Sequence, residues 1–207
     1  LLGESVLCPP VSPDMMSPMK KLLAIIILSL CFITPSQAND IRDFQIEGMS
    51  VGDSLLKMYT EAQIKVWSKK DYKSKKYSRF NMKDNRLETY DEIQFHYLTN
   101  DKNYTVQSIT AGIFFEDLSE CFKKQFNVFD DIKKFLSDTK TDFIEKIDGG
   151  RTDKQSNVYR MTFNLESAAI IEVACVDWDD GMEWEDHLRV AVNDEKFLQW
   201  IQEEAYK

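Results

Sequence analysis

Three short stretches of the sequence combine residue types that could perform chemistry or bind a ligand. The first contains Ser54 within the letters GDSL, the second crowds six carboxylates in front of His187, and the third alternates lysines with aromatic residues between Trp67 and Phe80. The corresponding chemistries are a serine nucleophile, a divalent-cation site and a surface for anions. Each stretch also has an ordinary structural interpretation, which its neighbours help to choose.

The letters around Ser54 match the signature of GDSL-type esterases, in which that serine is the nucleophile. Such chemistry needs a base for the hydroxyl and donors for the oxyanion. The esterase pattern supplies them from a Gly-x-Asn-Asp block and a late Asp-x-x-His, yet Trp184 stands three residues before His187 and no such block occurs. Ser50 and Asp53 instead fit the cap and third position of a helix start. The sequence therefore favours a helix cap, with a serine hydrolase as the alternative.

The acidic stretch 177–186 offers the carboxylate oxygens that Ca²⁺ prefers. Counted from Asp177, however, Gly181 falls at position five of an EF-hand loop instead of six, and Leu188 replaces the glutamate at position twelve. A hairpin that turns at Asp180-Gly181 accounts for the same letters. A divalent-cation site remains the alternative, with these candidate ligands: Asp177, Asp179, Asp180 and Glu183.

The basic stretch 69–79 carries six cationic side chains against the single carboxylate of Asp71. It could bind anionic lipid headgroups, acidic glycans or an acidic partner. The alternative is a solvated loop in which Tyr77 and Phe80 turn into the core. The formal net charge of the whole chain is −9, which argues against a general nucleic-acid binder. The candidate anion-binding residues are Lys69, Lys70, Lys73, Lys75, Lys76 and Arg79.

Residues 19–38 have the three parts of a secretory signal peptide. A positive start at Lys20 and Lys21 precedes an apolar run, and a small-x-small cleavage site ends at Ala38. The apolar run is too short to span a membrane, which takes about 20 residues. We therefore predict cleavage before Asn39 and a periplasmic or secreted product without a transmembrane segment.

The predicted product is a single globular domain over residues 39–207, a common domain size. Residues 1–18, upstream of Met19, are not expected to be part of it. A lipoprotein attached at Cys31 is the alternative to simple cleavage, but bulky Leu30 stands where that signal has a small residue.

Cys121 and Cys175 are the two cysteines that remain after cleavage. In an exported chain, two cysteines most simply form one disulfide. A reactive thiol pair is the alternative, and it is disfavoured because the chain contains no C-x-x-C motif.

Hydrophobic periodicity predicts the α+β framework that positions these residues. Segments rich in aromatic and β-branched residues predict an antiparallel sheet of about five or six strands. Helices are predicted at the N-terminus, in the centre and at the C-terminus, packed on the sheet. The N-terminal helical stripe is Leu55, Tyr59, Ala62 and Val66, and the central stripe is Leu118, Phe122, Phe126, Phe129, Ile132 and Leu136.

Helix caps follow from the polar residues that precede two of these stripes. Asp117 is the predicted cap of the central helix, and Asn193 is the predicted cap of the C-terminal helix. The C-terminal helix should bury Phe197, Trp200 and Ile201.

Four quoted segments resemble a family of small exported proteins of marine alphaproteobacteria whose mechanism is not established. They are FQIEGMSVGDSLL, VACVDW, WEDHLRV and FLQWI, spread over nearly the whole chain after the leader. The resemblance implies an exported single domain in which Cys121 and Cys175 pair, and it implies no mechanism.

These patterns together predict a non-enzymatic exported domain. It would bind an anionic envelope component through residues 69–79, or a small ligand in its core, and no cofactor is predicted. The alternatives are the Ser54 hydrolase and the divalent-cation binder at 177–186.

Overall fold

The computed structural model describes residues 40–70, 72–83, 86–136, 139–148 and 156–207, with the backbone alone for 143–148. The predicted leader lies outside these ranges, as does Asp71 of the basic stretch. Within them the strands are β1 (Ser68–Lys69), β2 (Tyr77–Met82), β3 (Glu92–Leu98), β4 (Val106–Phe114), β5 (Lys140–Asp148), β6 (Asn157–Asn164), β7 (Ile170–Asp177) and β8 (His187–Asn193).

The strands form one antiparallel sheet in the order β1-β2-β3-β4-β8-β7-β6-β5. Two meanders, β1 to β4 and β5 to β8, meet where β4 pairs with β8. The α+β prediction is confirmed, but the predicted count of five or six strands is wrong, because the described residues form eight. The two missed strands are the sheet edges, one very short and the other charged, so neither has the apolar alternation of a central strand.

The helices of the described chain are α1 (Glu61–Trp67), α2 (Leu118–Phe135) and α3 (Glu195–Glu203), at the N-terminal, central and C-terminal positions that were predicted. Two 3₁₀ turns, Ile41–Asp43 and Leu55–Lys57, precede α1. In the part of the chain that the structure describes, none of the helices has the length and apolar composition needed to cross a membrane.

One face of the sheet carries the main core. Paired positions in neighbouring strands form a row of side chains exposed by 1% or less: Phe80, Phe95, Ile109, Val192, Ile171 and Phe163. The N-terminal segment covers the β2 to β4 side of this row with Leu55 and Ile64, and α2 covers the other side with Phe129. Because strand side chains alternate in direction, the adjacent positions belong to the opposite face.

The opposite face is polar over much of its surface, and α3 covers one end of it. Phe197 of α3 lies 5.3 Å from Tyr77 and 4.6 Å from His96, measured between ring centres. These contacts belong to a second apolar cluster, whose members are Tyr77, Phe197, Trp200 and Ala205, with Tyr72 and Ile201 packed against it. The helices therefore divide between the two faces of the sheet.

Helix α2 is fixed to the sheet by three kinds of contact. A disulfide joins Cys121 to Cys175 of β7. One turn further on, Gln125 Nε2 donates to the carbonyl oxygens of Tyr159, at 2.6 Å, and of Val173, at 2.9 Å. In the following turn, the Phe129 ring stacks on Phe163, with 4.5 Å between ring centres.

The predicted stripe of α2 is partly wrong, because Phe126 is 48% exposed. The fully buried positions in the first three turns are Cys121, Gln125 and Phe129. A disulfide cysteine and a glutamine do not contribute to a hydrophobic pattern. The pattern therefore predicted a buried face that is rotated slightly around the helix axis from the observed one. Gln125 is accommodated because its side-chain amide is hydrogen-bonded. The Asp117 cap is confirmed.

The N-terminal stripe is also partly wrong, because Val66 is 78% exposed, whereas Leu55 and Tyr59 are buried as predicted. The helical segment stops after the 3₁₀ turn and restarts at Thr60, whose side chain forms a capping box with Gln63. This break resets the helical phase, so the stripe does not continue.

The predicted cap of α3 is off by one residue. Asp194 is the cap, and its carboxylate accepts a hydrogen bond from Phe197 N at 2.6 Å. Asn193 ends β8 instead, where its Oδ1 accepts from Ser108 Oγ at 2.6 Å. Phe197 and Trp200 are buried, as predicted.

Candidate functional site

Ser54 caps the 3₁₀ turn Leu55–Lys57. Its Oγ accepts from Leu56 N at 3.2 Å and donates to the Asn103 carbonyl at 2.5 Å. The two histidines of the chain make their hydrogen bonds elsewhere, His96 with Tyr72 and His187 with the Glu185 carbonyl. The structure therefore does not bring a histidine base into hydrogen-bond contact with this serine.

The predicted helix start at Ser50 is a turn. Asp53 Oδ2 accepts from Ser50 N at 3.0 Å, and Asp53 N donates to the Ser50 carbonyl at 3.1 Å. Gly52 has a φ of +91°, a conformation that favours glycine. The capping interpretation of the GDSL letters holds, but the capping residue is Ser54 and the helix that it starts is a single 3₁₀ turn.

The acidic stretch joins β7 to β8, so the predicted hairpin is confirmed. Its turn at Asp180-Gly181 is closed by a hydrogen bond from Met182 N to the Asp179 carbonyl at 2.8 Å. Asp177 Oδ2 accepts from the side chain of Asn157. Among the residues that the structure describes, no three histidine, cysteine or acidic side chains form a group suited to a metal ion.

The basic stretch begins in β1, continues as a loop and ends in β2. The loop lies against the second core: Lys73 N donates to the Ala205 carbonyl at 3.1 Å, and Trp200 Nε1 donates to Ser74 Oγ at 2.7 Å. Lys76 lies 3.4 Å from a carboxylate oxygen of Glu204. Tyr77 and Phe80 are buried, as the loop interpretation predicted. Arg79 is half-buried in β2. The other lysines of the stretch are exposed: Lys69, Lys70, Lys73 and Lys75.

The hairpin from β7 to β8 also forms a feature that the sequence reasoning missed. Together with the end of β4 it encloses a cleft of about 520 Å³, which we call the hairpin cleft. The rings of Trp178 and Trp184 meet there at 64°, with 4.5 Å between their centres. Trp184 is 47% exposed. The lining residues are Phe114, Phe115, Glu116, Trp178, Asp179, Asp180, Met182, Trp184, Glu185 and Asp186.

The hairpin cleft is acidic. Its described lining contains five carboxylates and no lysine or arginine, and the Lys83 ammonium lies on the ring of the lining residue Phe114. His187 lies beside it, with 6.0 Å between its ring centre and that of Phe114. Burial lowers the pKa of His187, despite the opposing effect of its hydrogen bond to the Glu185 carbonyl. This histidine is therefore neutral at pH 7 and does not offset the carboxylates.

The signal that could have revealed the cleft is the pair of tryptophans six residues apart on either side of the acidic turn. The carboxylates of that stretch fit a hairpin turn or a cation site, and neither pattern involves the two tryptophans. Two large aromatic side chains close together in a polar loop indicate an apolar surface that contacts something other than water.

The basic loop and the hairpin cleft lie at opposite ends of the strands. Tyr77, at the start of β2, packs on α3 near the basic loop. Phe114, at the end of β4, pairs with His187, at the start of β8, beside the cleft. No family model, no curated protein and no solved structure matches this chain.

Proposed function

We propose that the chain is a non-enzymatic binding domain that acts in the periplasm or outside the cell. The observation that carries the export part of this proposal is the bond between Cys121 and Cys175, two sulfurs that are fully buried where α2 crosses β7. Disulfides of this structural kind persist in oxidising compartments and are rare in the cytosol. The signal-peptide pattern of residues 19–38, with cleavage before Asn39, and the resemblance to small exported proteins support the same compartment.

Binding is favoured over hydrolysis by the environment of Ser54. Its hydroxyl hydrogen is directed to the Asn103 carbonyl, and its oxygen accepts from a backbone amide. A nucleophilic serine needs its proton directed to a base, and here the proton points to an acceptor of very low basicity. The serine hydrolase therefore remains only as the outcome that would contradict the proposal.

A fluorophosphonate probe tests this part of the proposal. We expect the folded protein to show no adduct by intact mass, under conditions that label a known serine hydrolase completely. An adduct that maps to Ser54, and that is lost in Ser54→Ala, would establish a nucleophile and overturn the non-enzymatic assignment.

Attachment to an anionic envelope surface is a second candidate function, and the basic loop favours it. Lys70, Lys73 and Lys75 are exposed on a loop that is held in place by the second core. A cationic side chain close to an anionic membrane contributes about 1 kcal/mol of attraction. The backbone at Lys73 and the side chain of Ser74 are already hydrogen-bonded to the second core, which lowers the entropy that this part of the loop would lose on binding.

Charge reversal separates this candidate from general electrostatics. Lys70→Glu with Lys73→Glu should abolish salt-sensitive binding to phosphatidylglycerol vesicles. The matched control, Lys123→Glu with Lys124→Glu, makes the same change in net charge on the exposed side of α2. Equal losses in both double variants, or binding that is unchanged in high salt, would refute a role for the basic loop.

A further inference from the structure

We propose that the hairpin cleft is a binding site for an organic cation, with a quaternary ammonium group as the chemical class. The proposal goes beyond envelope attachment, because it concerns the opposite end of the sheet and a ligand of opposite charge. It rests on three features of the cleft: its aromatic walls, the sign of its charge and the arrangement of its carboxylates.

The aromatic walls are formed mainly by Trp178 and Trp184. Their rings, 4.5 Å apart between centres and inclined at 64°, form a corner and not a flat stack. Indole is the side chain that attracts cations most strongly through its ring face, and aromatic corners are the usual receptors for quaternary ammonium groups. The 47% exposure of Trp184 leaves this corner accessible from solvent.

The carboxylates divide into two groups with different tasks. Asp186 Oδ1 accepts from Trp178 N at 2.7 Å, and Asp179 Oδ1 accepts from Gly181 N at 2.9 Å. These two side chains fix the backbone conformation of the loop, and with it the position of the tryptophans. The exposed carboxylates supply negative charge at the rim: Glu116, Asp180 and Glu185.

An organic cation suits this arrangement better than a metal ion does. Calcium takes six to eight oxygen ligands at short range, and the described residues contain no such converging group. A quaternary ammonium ion is weakly hydrated and needs a ring face with negative charge nearby, not direct oxygen ligands.

The fold already places one of its own cations on a neighbouring ring. Lys83 Nζ lies 4.7 Å from the centre of the Phe114 ring. Phe114 is therefore engaged, and the aromatic surface available to a ligand is the outer angle of the edge-to-face pair, on the exposed side of Trp184.

Choline is the probe for the test, with 3,3-dimethyl-1-butanol as its uncharged isostere. We expect choline to shift the indole N–H resonances of Trp178 and Trp184, while the isostere shifts them far less. Trp184→Ala should weaken choline binding at least about fivefold, the size of one cation–π contact. The matched control Trp67→Ala changes another exposed tryptophan, at the end of α1, and should leave choline binding unchanged.

A second variant isolates the contribution of charge. Glu116→Gln with Glu185→Gln keeps the aromatic corner and should weaken choline binding, with a smaller difference from the wild type in high salt. Equal shifts by choline and its isostere would show an apolar cleft without cation preference. No shift with choline, or shifts with calcium alone, would also overturn the proposal, the latter in favour of a divalent-cation site.

Discussion

At the scale of single residues, His96 is an ionisable group that the fold removes from water. It lies in β3 beneath α3, is 4% exposed, and its Nε2 is 2.9 Å from the Tyr72 hydroxyl. Burial, helped by the nearby charge of Arg79, lowers the pKa of His96 to about 3. The folded protein therefore holds this imidazole neutral well below the pH at which an unfolded chain would protonate it.

The pH dependence of stability should report His96 directly. Its pKa is about 6.5 in the unfolded chain and about 3 in the folded chain, so the unfolded state binds the extra proton as the pH falls. Between pH 7 and pH 5 the free energy of unfolding should drop by about 2 kcal/mol from this group. His187, whose pKa is also lowered, adds to the drop.

Urea denaturation at both pH values checks this, with His96→Gln as the comparison. That variant should be less stable at pH 7 but should lose less stability on acidification. An identical loss in the wild type and the variant would show that His96 does not take up the proton.

Two serines near the start of the chain should respond differently to the same change. Ser54→Ala removes a cap and should cost about 1 kcal/mol. Ser50→Ala should be neutral or slightly stabilising, because the buried Ser50 Oγ has no hydrogen-bond partner among the described residues. Thermal unfolding of the two variants compares them. A larger loss of stability in Ser50→Ala than in Ser54→Ala would show that Ser50 is the capping residue, as the sequence predicted.

At the scale of elements, apolar periodicity predicted the strands and helices whose positions depend only on apolar packing. All six central strands were foreseen, because each alternates or is continuously apolar. The buried face of α2 was not predicted correctly, because Gln125 occupies a core position. Its side-chain amide makes hydrogen bonds to two backbone carbonyls, and no local sequence pattern encodes those bonds. The cleft between Trp178 and Trp184 could not be derived either, since it needs the end of β4 to complete it.

The link between α2 and β7 should contribute strongly to stability. The disulfide spans 54 positions of the chain, and a loop of this length should contribute about 4 kcal/mol in the chain-entropy account. Cys121→Ala with Cys175→Ala should lower the free energy of unfolding by about that amount, measured in urea without reductant. Added reductant should not affect the double variant. Equal stability of the wild type and the double variant would show that packing alone fixes α2.

At the scale of the whole molecule, two apolar cores lie on opposite faces of one sheet, and each supports different surface elements. The main core supports α2 and the disulfide, whereas the second core supports α3 and the basic loop. The acidic hairpin cleft and the basic loop lie at opposite ends of the strands, so the charge asymmetry of the sequence is also an asymmetry in space. The described part of the chain therefore presents a basic surface at one end of the strands and an acidic surface at the other.

The second core should be separable from the first by a single substitution. Trp200 is fully buried and donates to Ser74, so Trp200→Ala should cost about 3–5 kcal/mol. Hydrogen exchange should accelerate most in α3 and in residues 72–76, with slower exchange retained in α2 and β7. Uniform acceleration across the sheet would contradict the separation of the two cores.

We propose an exported, disulfide-bonded binding domain, and the mass of the product recovered from a bacterial periplasm checks this proposal. The product should begin at Asn39 and gain two hydrogens on reduction, through opening of the bond between Cys121 and Cys175. A cytoplasmic product that retains residues 19–38 and carries three free thiols, on Cys31, Cys121 and Cys175, would contradict it.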